Sequence, residues 1–169
     1  MPHDIDPRDI DPRGPQFNAA LTSVILAIVL VAAPGPVGLA LLALQALLFA
    51  TGVTRGVQRT PAAYLFRTLV RPRLAAPAHL EDPRPPRFAQ AVGLVFALVG
   101  LAGYLSGAAL DSPGATLVGT VATGLALVAA LLNAVFGFCL GCELYLLTRR
   151  ITARFTSTHD NREHEGVTA

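Results

Sequence analysis

A chain of 169 residues has room for one domain, and 53% of this one is apolar against 14% charged, with a mean hydropathy of +0.54. That composition excludes an ordinary water-soluble domain and points to a membrane. All 13 basic residues are arginine and the net charge is only +2; the arginines flank apolar runs instead of covering a polar face, which excludes a nucleic-acid-binding surface.

Residues 1–16 form a polar arm in which Asp4, Asp6, Asp9 and Asp11 outnumber Arg8 and Arg13. A secretory leader opens with a short, net-positive region, so the apolar run after this arm reads as a retained first span. Four apolar stretches, about 17–33, 37–53, 88–110 and 115–147, approach or exceed the roughly 17 to 25 residues that cross a bilayer as helix. None carries the polar stripe that a surface helix needs. The expected fold is all-α: a polytopic membrane protein with four transmembrane helices spread over residues 17–154 and a disordered cytoplasmic tail over 155–169.

The first two spans are separated only by Pro34, Gly35 and Pro36, a turn with no residues to spare, so they should pack directly as a rigid pair. Between the second and third spans, Pro61 to Arg71 reads as a short interfacial helix. Pro61 starts it and Pro72 stops it, Leu65, Phe66, Leu69 and Val70 face lipid, and Arg67 and Arg71 face water. Gly100, Gly103 and Gly107 in the third span, and Gly137 and Gly141 in the fourth, are spaced for close backbone approach.

The arginines also give an orientation. They lie before the first span, between the second and third, and after the fourth, while the two other connections have none. By the positive-inside rule both termini and the central loop are cytoplasmic, which makes this a multi-pass protein of the cell membrane. The pattern Asp-Pro-Arg-x-Pro-x-Phe occurs at Asp11–Phe17 and again at Asp82–Phe88, so the four spans read as two parallel hairpin repeats. Arg13, Phe17, Arg67, Arg71, Arg84, Phe88, Arg149 and Arg150 are the expected membrane-interface anchors, with the lipid bilayer as partner.

The only two cysteines, Cys139 and Cys142, stand in the run Phe136 to Arg150. On a continuous fourth span they share one face with Glu143 and lie roughly 10 Å below the headgroup layer. Three chemistries suit the pair: a redox dithiol, a sulfur carrier, or a metal site with Glu143 as third ligand and a fourth from elsewhere. In a span ending near Leu147 the thiols lie toward the C-terminal end of their helix, where the dipole, apolar burial and Glu143 all disfavour a thiolate. Packing alone is the bland alternative. His3, His79, His159 and His164 fall in polar segments, and only His79 could approach Cys139. Asn18, Gln45 and Asn133 are single amides of the kind that bridge helices. Nothing in the chain calls for a cofactor.

Pro86-Arg87-Phe88-Ala89-Gln90 and Gly137-Phe138-Cys139-Leu140-Gly141-Cys142 resemble a bacterial membrane-protein family, frequent in actinobacteria, known as domain-of-unknown-function family 4395. The resemblance runs from about Asp11 to Leu147. It implies that Cys139 and Cys142 are the family's recurrent cysteine pair, favouring thiol chemistry, and that the position of Glu143 is often basic, which argues against metal. The leading expectation is a thiol-based redox or sulfur relay working with a soluble thioredoxin-like or sulfurtransferase partner, not an independent enzyme. A non-catalytic membrane scaffold is second and a small-solute transporter third.

Overall fold

The computed structural model describes residues 9–77 and 79–165, with 153–165 as backbone alone. Six helices follow in order: α1 (Arg13–Ala32), α2 (Pro36–Arg55), α3 (Pro61–Leu65), α4 (Arg84–Ala109), α5 (Pro113–Phe136) and α6 (Leu140–Glu165). Among the described residues there is no strand, only a single antiparallel bridge between Ile10 and Glu81. The chain is all-helical, and α1, α2, α4 and α5 are each long and apolar enough to cross a membrane.

These four helices form a closed ring of antiparallel neighbours, α1 to α2 to α4 to α5 and back to α1. At its centre Leu26, Val29, Leu42, Phe49, Ala97 and Tyr104 are buried. The outward faces are apolar too: Val31 is 88% exposed and Val135 66%. A soluble protein would present polar residues there, so this double-sided apolarity needs a bilayer around it. Apart from Gln45 Oε1, the buried side-chain polar groups among the described residues bond locally or across to a neighbour. Gln45, fully buried, donates from Nε2 to Thr22 Oγ1 at 3.3 Å, joining α2 to α1.

Every described arginine on the bundle's flanks lies toward one end. Arg13 donates to the carbonyl of Ala75 at 3.0 Å; Arg87, at the start of α4, donates to Val53 near the end of α2 at 2.6 Å and so occupies one of that helix's last carbonyls. The two Asp-Pro-Arg arms are capped alike, with Asp11 Oδ1 accepting from the Arg13 amide at 3.0 Å and Asp82 Oδ1 from the Arg84 amide at 2.9 Å. The residues just before them, Ile10 and Glu81, exchange backbone hydrogen bonds of 2.9 Å.

The segment expected as one interfacial helix is helical but changes pitch. Thr60 caps α3 by accepting from Ala63 N at 3.1 Å, Pro61 opens it, a π-helical turn spans Phe66–Val70 and a 3₁₀ turn Arg71–Arg73. Phe66 does not face lipid as its apolar character suggested. It is 4% exposed and its ring lies 5.9 Å from that of Phe17, because the segment folds back onto α1 and places the ring beside Gly14.

Candidate functional site: the Cys139–Cys142 disulfide

The fourth apolar stretch is two helices, not one span. At 1.5 Å per residue a helix from 115 to 147 would reach about 50 Å, well past a hydrocarbon core of about 30 Å. The break is made by Gly137, whose φ of 68° is left-handed. Gly137 N donates to Asn133 O at 3.0 Å, the single bond of an αL helix ending, and Phe138 N donates to Leu132 O at 3.3 Å, so two of the last carbonyls of α5 are satisfied at the turn. Only glycine takes this backbone without penalty. After Phe138 and Cys139 the chain re-enters helix at Leu140.

Cys139 therefore immediately precedes α6, and Cys142 sits in its first turn. The two are joined by a disulfide with Cα atoms 5.2 Å apart, and both residues are half-buried. The backbone N–H of Cys142 donates to Cys139 Sγ at 3.2 Å, while the carbonyl of Cys139 accepts from Glu143 N at 3.1 Å. One of the amide donors left open at a helix start thus points at sulfur.

This reverses the electrostatics expected from an unbroken fourth span. There the thiols would have faced the negative end of a helix; here Cys139 faces the positive end, which stabilises a thiolate. The depth changes as well. The pair lies at the level where the spans begin, not within the fourth. A Cβ on Gly137 would stand 2.7 Å from Gln16 Nε2, and one on Gly141 would stand 2.6 Å from Ala89 Cα. Gly137 and Gly141 do not form one small-residue stripe; the first ends a helix and the second seats α6 against α4. Beyond it Tyr145 meets Phe88, ring centroids 5.8 Å apart.

Glu143 is exposed in the first turn of α6, where its charge favours the helix. Among the described residues no group of three or more His, Cys, Asp and Glu side chains is gathered to hold a metal. His79 lies 3.3 Å from Glu81 on the central loop. Of the expected interface anchors, Phe17 and Phe88 are held by Phe66 and Tyr145. Arg13 clasps Asp11 through two side-chain bonds of 2.9 and 2.8 Å. Arg67, Arg71, Arg84, Arg149 and Arg150 are exposed at the same end. Arg8, the side chains of Arg154, His159, Arg162 and His164, and residues 166–169 lie outside the described set. The helix trace continues to Glu165, over most of the tail whose polar composition suggested disorder.

The sequence drew attention to the cysteines but not to the break that orients them. The signal was there: Gly137 follows an apolar helix already long enough to span, as a C-terminal cap does.

Residues 10–150 match the family described as Domain of unknown function (DUF4395). The match covers most of the chain, and the chain belongs to that family. No curated protein and no solved structure matches it.

Proposed function

We propose that this DUF4395 protein is a thiol–disulfide exchange protein of the membrane surface, with Cys139 as the attacking thiol and Cys142 as the resolving one. The observation that carries this reading is the placement of Cys139 at the start of α6 with the Cys142 amide directed at its sulfur. In the reduced protein the Cys139 thiolate attacks a partner disulfide and expels one partner thiolate. Cys142 then gives up its proton and attacks Cys139 Sγ, releasing the second partner thiol. The protein ends as the disulfide and the partner as the dithiol, two electrons having passed to the partner. The reverse sequence regenerates the dithiol from a reduced, thioredoxin-like donor.

The one-ended arginine distribution supports a cytoplasmic location for this site. In that compartment a disulfide is transient, as a relay requires. Reporter fusions in the loop 73–84 and at Asp111 test the orientation, with cytoplasmic and external signals expected respectively. For the chemistry, Cys142→Ser should trap a covalent adduct with a soluble thiol protein through Cys139. Alkylation of Cys139 should titrate below the ordinary thiol value of about 8.5. An ordinary titration together with no adduct would leave a packing role, the scaffold reading, in which reduction of the bond costs stability and nothing else.

A further inference from the structure

Away from the dithiol, the arginine-rich end of the bundle encloses a cavity of about 280 Å³. Its walls come from the polar arm, the first turns of α1, the Pro61–Arg73 segment and the start of α4. It differs in kind from the lipid-facing surface. Ile10 and Phe66, both buried, give it an apolar floor; Asn18 and Gln90 bring amides; and Arg67 and Arg71, one helical turn apart, bring guanidiniums.

The charge balance fixes what such a cavity prefers. Asp11 lines it but is already occupied, since Arg13 donates to both of its oxygens and its side chain is only 6% exposed. The lining holds Arg67 and Arg71 against Asp9 and Asp11, and because Arg13, outside the lining, neutralises Asp11, one positive charge is left in excess. Guanidiniums bind phosphate oxygens by paired, charge-assisted hydrogen bonds, and the amides add neutral donors. Gly14 and Asn18 lie near the beginning of α1 and Gln90 near that of α4, so the cavity stands at headgroup depth when the four helices span a bilayer. Its apolar floor matches the first carbons next to a phosphate, not a fully hydrated ion.

We propose that this cavity is a binding site for an anionic phosphate group, held by Arg67 and Arg71 with its non-phosphate side against Ile10 and Phe66. The site is independent of the dithiol and stands whether or not the cysteines exchange. Two sources supply that chemistry, a phospholipid headgroup or a free phosphate, and the same titration separates them.

The full chain, purified in a neutral detergent, is titrated with phosphatidylglycerol, phosphatidylcholine and inorganic phosphate and read by native mass spectrometry and thermal shift. Phosphatidylglycerol should bind about tenfold more tightly than phosphatidylcholine, and Arg67→Gln with Arg71→Gln should abolish the difference. Arg149→Gln with Arg150→Gln removes the same charge from the same end and should change binding less than about twofold. Ala63→Leu, which fills the cavity without altering charge, should also abolish the preference. Displacement of the lipid by millimolar inorganic phosphate would support a free phosphate as occupant, and persistence of the lipid would support a headgroup. Equal losses from both arginine pairs would overturn the site in favour of diffuse surface attraction. So would undiminished binding in an Ala63→Leu protein that melts like the parent.

Discussion

In the hairpin α1–α2 the interior is filled by side chains, with Leu26, Val29, Leu42 and Phe49 buried; in α4–α5 the two backbones approach one another directly. A Cβ on Gly103 would stand 2.5 Å from the amide nitrogen of Gly119, and one on Gly119 would stand 3.0 Å from the Tyr104 ring. Counted from the prolines that open the two helices, Leu42, Gln45, Ala46 and Phe49 of α2 stand where Gly119, Ala122, Thr123 and Ala126 stand in α5. The same positions are buried; at three of the four α2 holds the larger residue, and only Ala46 against Thr123 goes the other way. Lipid tails are as apolar as leucine, so helices in a bilayer gain little from burial as such and associate through close contact. Large side chains meeting glycines and glycines meeting backbones both supply it. The two devices meet between the hairpins, where Phe49 of α2 packs over Gly93 of α4 and Gln90 of α4 over Gly52 of α2.

The largest effect is expected from Gly103→Leu, because its neighbours are backbone atoms that cannot move aside. The α4–α5 pair should separate and the purified protein should lose its monodisperse elution and cooperative melting. Retention of both would mean that the second hairpin has slack the close approach does not suggest. Leu26→Ala in the first hairpin removes bulk without a clash and should cost about 2–4 kcal/mol in a denaturation series while the fold survives. If it proves as severe as Gly103→Leu, the distinction between the hairpins fails.

Gln45→Leu probes the one amide buried at the centre. Among the described residues Gln45 Oε1 is buried without a hydrogen-bond partner, and the bond to Thr22 that would be lost is worth only about 0.6 kcal/mol by membrane precedents. The substitution should be neutral or stabilising, by less than about 1 kcal/mol. A clear loss would show that this amide, and not packing, holds α1 to α2.

The smallest effect concerns the arms. The hydrogen-bonded Arg13 guanidinium holds the Asp11 carboxyl below its ordinary value of 3.8. A carboxylate with a lowered folded pKa stabilises fully above its unfolded value and stops doing so as the pH falls through the lowered one. The clasp should therefore be intact at neutral pH and lost only below pH 3.8. Asp11→Asn should remove that acid-dependent part of the melting curve and leave the rest. An unchanged acid limb would assign it to other carboxylates.

Both the hairpins and the dithiol show how far residue order carries the argument. The four spans, the interfacial segment and its opening proline were legible because apolar run length and proline position act locally. Gln45 and the glycines of the third span were legible as helix-bridging groups for the same reason. Phe66 was misread because an apolar residue on an interfacial helix looks the same whether it meets lipid or another ring, and the fold-back onto Phe17 is not a local property. The arginines were legible as a group at one end, but that Arg13 and Arg87 tie segments of the bundle together was not.

Composition and periodicity by themselves determined that this chain has four helices long and apolar enough to cross a membrane, with its arginines collected at one end, since hydrocarbon thickness and charge desolvation act on any sequence of this pattern. The tertiary structure decided which end of a helix the cysteines face. A left-handed Gly137, the seating of Gly141 on Ala89 and the contact of Tyr145 with Phe88 turn the chain out of the fourth span just before Cys139. That turn exchanges a helix C-terminus for a helix N-terminus around the sulfurs, because the sign of the helix dipole depends on where the hydrogen-bonded ladder stops and restarts.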